Sequence, residues 1–123
     1  MSDNILGLRT VIYHTSNLRE AKKWYADAFG KPPYFDEDFY VGFEIGGYEL
    51  GLLPSEEKNQ KTDNIEAYWG VNNIEEEYQR LLDIGAKEHT EIKDVGEGIL
   101  VCTVLDPWNN VIGLIYNPYF KLL

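Results

Sequence analysis

Apolar and polar positions alternate with period two from Phe39 to Pro54, in FYVGFEIGGYELGLLP. Phe39, Val41, Phe43 and Ile45 alternate with Tyr40, Gly42 and Glu44, the pattern of a strand with two different faces. Gly46-Gly47 supplies the positive φ angles of a tight hairpin turn. On the return strand, which stops at Pro54, Leu50 and Leu52 point one way and Glu49 and Gly51 the other. The glycines are expected to leave volume in front of the sheet, with Glu49 facing it. The plain alternative is a solvated edge-strand glutamate.

Upstream, Leu8 to Thr15 is β-branched and aromatic and predicts a strand, with Val11 and Tyr13 on one face and Thr10, Ile12 and His14 on the other. Asn17 predicts a helix cap, with Glu20 at the third helical position. Leu18, Ala21, Trp24, Tyr25, Ala28 and Phe29 form one helical stripe, which Gly30 and Pro32-Pro33 end. A short extended piece around Tyr34-Phe35 leads into the hairpin. Ser55 to Asp63 is polar and without period, an exposed linker.

The pattern then repeats. Ile65 to Val71 predicts a strand, and Asn73 with Glu76 predicts a second capped helix. Its stripe is Ile74, Tyr78, Leu81 and Leu82, and Gly85 ends it. Strands are expected near Glu88 to Asp94, over Ile99 to Leu105 and over Val111 to Tyr116, the last two joined by a turn at Asp106 to Asn110. The chain is thus read as an α+β protein made of two βαβββ modules in tandem, about 7–54 and 64–117, in a single domain.

A length of 123 residues suits one domain with one real core. The net charge of −10 repels phosphate backbones and anionic membrane surfaces, so neither nucleic acid nor membrane is an expected partner. The first residues carry no basic-then-apolar leader and no apolar run is long enough to span a bilayer, so a cytoplasmic protein is expected. The lone Cys102 excludes an internal disulfide and a cysteine-rich zinc site, and its apolar strand makes it a core residue.

The chain resembles the vicinal oxygen chelate superfamily, which contains glyoxalase I, extradiol dioxygenases, fosfomycin-resistance enzymes and bleomycin-binding proteins. The carriers are TVIYHTSNLREAKKWYADAFG in the first half and VNNIEEEYQRLLDIGA with DPWNNVIGLIYNP in the second. The resemblance implies curved mixed sheets around a cup, and a homodimer. It also implies metal-ligand positions on the first and last strands of each module. Carried over residue by residue, these are Thr10, Glu49, Glu66 and Gly113. One family ligand is kept, a second position offers a carboxylate, and two are lost, which does not suit zinc or nickel.

Three readings follow. The first is a small-molecule binder whose cup is lined by Thr10, Ile12, His14, Phe43, Glu49, Glu66 and Tyr68, as the bleomycin-binding branch implies. The acidic groups would favour a cationic or hydrogen-bond-donating ligand. The second is an isomerase or lyase of the glyoxalase type, with Glu49 catalytic. In it Glu49 and Glu66 either hold magnesium or manganese or act as a carboxylate base. In the third, aromatic side chains occlude the cup and the protein works through a partner surface. His14 is read as a strand-end residue touching water, His89 as exposed, and Tyr48, Trp69 and Trp108 as core or interface. Tyr116 to Phe120 is expected to pack on the fold or across a dimer contact.

Overall fold

The computed structural model describes residues 8–55 and 66–119. The linker (apart from Ser55), the start of the strand expected from Ile65, and Phe120 lie outside them. The chain divides into two compact units, Met1–Lys58 and Asn59–Leu123.

In the first unit β1 (Thr10–Thr15) leads to α1 (Leu18–Phe29), followed by β2 (Phe35–Glu37), β3 (Tyr40–Ile45) and β4 (Tyr48–Pro54). The sheet order is β1-β4-β3-β2, with β1 parallel to β4 and the other pairs antiparallel. In the second unit β5 (Tyr68–Gly70) leads to α2 (Ile74–Asp83), then β6 (Lys87–Asp94), β7 (Leu100–Leu105) and β8 (Val111–Tyr116). Its order, β5-β8-β7-β6, repeats the first, again with only the first and last strands parallel. Each unit is therefore one βαβββ module with a mixed sheet. Among the described residues no helix is long and apolar enough to cross a membrane.

The helices start where their caps predict. The Asn17 Oδ1 accepts from the Glu20 N–H and the Asn73 Oδ1 from the Glu76 N–H, both at 3.1 Å. Each such cap contributes about 1 kcal/mol. Gly30 closes α1 in the left-handed region, at φ 71°, where a side chain would be strained. α1 lies on β3 and β4, and α2 on β6, β7 and β8.

One face of each sheet is consumed by its helix. In the first unit Tyr13, Val41, Phe43, Leu50 and Leu52 are buried with Ala21, Tyr25 and Ala28. The Tyr25 ring stacks on Tyr13 at 5.7 Å and on Phe29 at 5.8 Å. In the second unit Cys102, Val104, Ile112 and Leu114 are buried with Ile74 and Leu81. Each fully buried Leu, Ile or Phe contributes about 2 kcal/mol. Period-two alternation then sends every intervening side chain to the opposite face, which no helix among the described residues of its own unit covers.

Candidate functional site

The open face of the first sheet is floored by two glycines. Gly42 and Gly51 are cross-strand partners, and Ile12 pairs with Gly51 on the other side. The expected empty volume above them is filled. Tyr40, two residues before Gly42 on the same face, lays its ring across the floor. A Cβ added at Gly51 would stand 2.1 Å from the Tyr40 Oη. One added at Gly42 would meet the Glu49 Oε2 at 2.7 Å and the rings of Tyr34 and Tyr40 at 3.3 Å. Only glycine lets these side chains lie so close to the backbone.

Glu49 is the hub. The Tyr40 hydroxyl donates to its Oε2 at 2.8 Å, and the Thr10 Oγ1 makes a long contact with its Oε1 at 3.5 Å. The Tyr34 hydroxyl also bonds Glu49, which is the main reason the Tyr34 pKa is raised. Burial, and after it the bond to Glu49, pushes the Tyr40 pKa up to about 12. Both phenols are thus held as neutral donors around one carboxylate. The rim is apolar and open: Ile12, Tyr34, Phe35 and Phe39 are exposed. The Phe35 ring lies 6.0 Å from Tyr40 and 6.1 Å from Phe39.

Two expectations for this face need correction. Phe43 is not a lining residue; it pairs with Leu50 on the helix-packed side and is fully buried. Phe39 does not share the Val41 face, because it lies in the β2–β3 turn and turns its ring to Phe35. His14 stays on the open face with Thr10 and Ile12, exposed and beside Leu53.

Glu44 pairs with Glu49 across the strands but is otherwise engaged. It bonds the Lys31 ammonium and accepts from the Gly47 N–H at 2.7 Å. Those two contacts, Lys31 first, hold its pKa below the usual carboxylate range.

The second module repeats the slot with other side chains. In the first, the Glu49 N–H donates to the Arg9 carbonyl at 2.8 Å and Thr10 is the partner of Glu49. In the second, the Gly113 N–H donates to the Ala67 carbonyl at 2.9 Å and Tyr68 is the partner of Gly113. The position corresponding to Thr10 is therefore Tyr68. Glu66, placed there by reading the sequence, lies two residues earlier and outside β5. The four corresponding positions are Thr10, Glu49, Tyr68 and Gly113.

Tyr68 behaves as Tyr40 does. Its ring lies on Gly113, where an added Cβ would meet Cδ1 at 2.6 Å, and its hydroxyl donates to the Glu66 Oε2 at 2.9 Å. Partial burial and then Glu66 raise its pKa. Thr103, the other cross-strand partner of Gly113, is buried. A bulge in β6 brings two residues to it: the Thr90 Oγ1 lies 2.6 Å and the His89 Nδ1 2.9 Å from the Thr103 Oγ1. His89 is exposed, as expected, but sequence reasoning missed its bond to Thr103. A bulge leaves no mark in KEHTEIKD.

A metal of the family type does not fit these residues. The four positions supply one carboxylate, a hydroxyl, a phenol and a bare glycine, and no imidazole. The carboxylate already accepts from hydroxyls, and the second carboxylate, Glu66, belongs to the other unit and is held by Tyr68. Among the described residues no group of three or more His, Cys, Asp or Glu side chains is arranged to hold a metal ion. What the first module can do is accept hydrogen bonds and positive charge at Glu49 beneath a wall of exposed rings.

Residues 7–114 match the profile of the Glyoxalase/Bleomycin resistance protein/Dioxygenase superfamily. No curated protein is matched by sequence. Among solved structures, a glyoxalase-related enzyme from Fulvimarina pelagi has a TM-score of 0.77 at 15% identity, over 97% of this chain and 94% of its own. A family enzyme from Burkholderia phytofirmans PsJN has a TM-score of 0.77 at 14% identity, over 90% and 98%. The fosfomycin resistance protein FosX from Listeria monocytogenes has a TM-score of 0.74 at 15% identity, over 96% and 97%. Such identities carry the fold, and the profile match, which spans most of the chain and both βαβββ modules, carries the kinship: the chain belongs to the glyoxalase/bleomycin resistance protein/dioxygenase superfamily.

Proposed function

We propose that this protein binds a small molecule on the open face of the first module, with Glu49 as the polar anchor and the exposed rings as the wall of its cup. The observation that carries the reading is the Glu49 carboxylate, ringed by the neutral hydroxyls of Tyr34 and Tyr40 below an apolar, exposed rim. Apolar walls with a few convergent polar groups are the usual form of such sites. Thr10, Ile12 and His14 extend the same face. Tyr68 and Glu66 form a second tyrosine–carboxylate pair in their own module. We propose, too, that the two units work as one domain, and that the protein is a cytoplasmic homodimer.

The test is a thermal-shift screen of small molecules on the full chain, with metal content measured by mass spectrometry on the same preparation. A ligand at 100 times its Kd stabilises the folded state by about 2.7 kcal/mol, a readily measured rise in Tm. The expected result is a ligand whose shift is lost in Glu49→Gln. Stoichiometric magnesium or manganese that disappears in Glu49→Gln and Glu66→Gln would overturn this reading in favour of a metal-assisted isomerase or lyase. A single unfolding transition and a sedimentation mass of two chains are the expected outcomes for domain and assembly.

A further inference from the structure

We infer that the ligand of this face is a small organic cation, an ammonium or guanidinium group carried on an apolar body, with its charge on Glu49 and its body on Phe35, Phe39 and Ile12. This rests on the reading of the face as a small-molecule site and names its chemical class. Three observations carry it.

First, Glu49 has a negative charge to offer. None of the ion pairs seen among the described residues takes it, whereas its neighbour Glu44 is paired with Lys31. Its partners are the neutral hydroxyls of Tyr40 and Tyr34 with a long contact to Thr10, and neutral hydroxyls hold a carboxylate in place without cancelling its charge. Second, the exposed rim of this face is largely aromatic. Tyr34 is 62%, Phe35 38% and Phe39 65% exposed, with Phe35 set between Phe39 and Tyr40. A cation near aromatic rings is attracted by their quadrupoles, whereas an anion is repelled. Third, the whole chain carries a net charge of −10, which draws cations towards it and turns anions away.

Among the described residues no ion pair brings a cation to Glu49 that could receive an anionic ligand, and Lys31 is engaged by the neighbouring Glu44. A neutral one leaves the carboxylate, shielded from water by the ligand's own body, with an unanswered charge. An amine supplies both the missing charge and two or three N–H donors in place of water.

The experiment compares three probes with one aromatic body: phenethylammonium, 2-phenylethanol and phenylacetate. Binding to the full chain is followed by chemical shifts of labelled backbone amides near Gly42 and Gly51. The expected result is that the ammonium binds roughly tenfold more tightly than the alcohol, since a charged hydrogen bond exceeds a neutral one by about that factor. Phenylacetate should bind weakest. Glu49→Gln should bring ammonium and alcohol level, while Glu75→Gln, an equal loss of charge on α2, should keep the preference. Equal binding of ammonium and alcohol to the native protein overturns the cation class and leaves the small-molecule reading standing. Failure of all three to bind overturns both. So does a face covered by a second copy of the chain, which would show as shifts at these amides on dilution and a change of sedimentation mass in Phe39→Ser.

Discussion

Replacing Gly51 by alanine tests whether Tyr40 owes its place to that glycine. The new Cβ would lie 2.1, 2.7 and 2.8 Å from the Oη, Cζ and Cε1 of Tyr40. Carbon contacts are comfortable only from about 3.5 Å, so the ring has to withdraw by more than about 1 Å. Its hydroxyl sits at the displaced end and now donates to Glu49 at 2.8 Å, so that bond is lost. A hydrogen bond to a charged group contributes about 1.5–3 kcal/mol, and the half-buried position of this pair puts it at the low end, about 1.5 kcal/mol. Alanine in place of a strand glycine returns about 0.5–1 kcal/mol. Gly51→Ala should therefore destabilise by about 0.5–1 kcal/mol. In a Tyr40→Ala background there is no ring to displace, and the same substitution should stabilise by about 0.5–1 kcal/mol. The sign reversal amounts to a coupling of about 1.5 kcal/mol. Urea denaturation of the four proteins, followed by tryptophan fluorescence, measures it. Equal destabilisation by Gly51→Ala in both backgrounds would refute the seating of Tyr40 on Gly51.

Tyr40, with a folded pKa of about 12 against an ordinary 10.0, binds its proton more tightly when folded. Its contribution is therefore complete below pH 10 and lost as the pH rises to about 12. Phenolate absorbance should show a late-titrating tyrosine that is absent from Tyr40→Phe. Asp106, fully buried, accepts from the Trp108 N–H at 2.9 Å, the Asn110 N–H at 2.7 Å and the Asn110 Nδ2 at 2.8 Å. Asp106→Ala removes the acceptor of all three bonds and should cost about 3 kcal/mol by chemical denaturation; a cost under about 1 kcal/mol would mean the turn is held by its backbone. Burial pushes the Cys102 thiol up to about 11, so a thiol reagent should label it only at the rate of unfolding, and rapid labelling of the native protein would contradict its burial.

Much of this fold is legible in the sequence because its signals are local. Asn17 and Asn73 announce their helices, and Gly46-Gly47 announces the hairpin. That two-residue turn also places Phe43 opposite Leu50 and Glu44 opposite Glu49, so the burial of Phe43 could have been read from the hairpin register alone. The clustering of Tyr40 with Glu49 carried a fainter mark: an aromatic two positions before Gly42, with Gly51 across the strand, has room only over those glycines. The misplacement of Glu66 has a different origin. β5 has only three residues, and its parallel pairing with β8 is set by main-chain bonds across a gap of more than forty residues. No local pattern distinguishes Glu66 from Tyr68 there. Nor does any pattern reveal the β6 bulge that turns both His89 and Thr90 towards Thr103.

The repeated slot has an evolutionary consequence. Its shape is made by main-chain pairing, so what stands in it can drift without disturbing the strands. The steps are nevertheless ordered. Gly113 cannot become a glutamate while Tyr68 lies on it, because the first new carbon would strike both that ring and the Ala67 carbonyl at 2.6 and 2.7 Å. Tyr68 has to shrink and the Ala67 carbonyl has to shift first, and losing Tyr68 releases Glu66 from its hydroxyl before any new partner has arrived. Any change from the present tyrosine on glycine to a glutamate therefore passes through a less stable intermediate, which favours the arrangement that now stands.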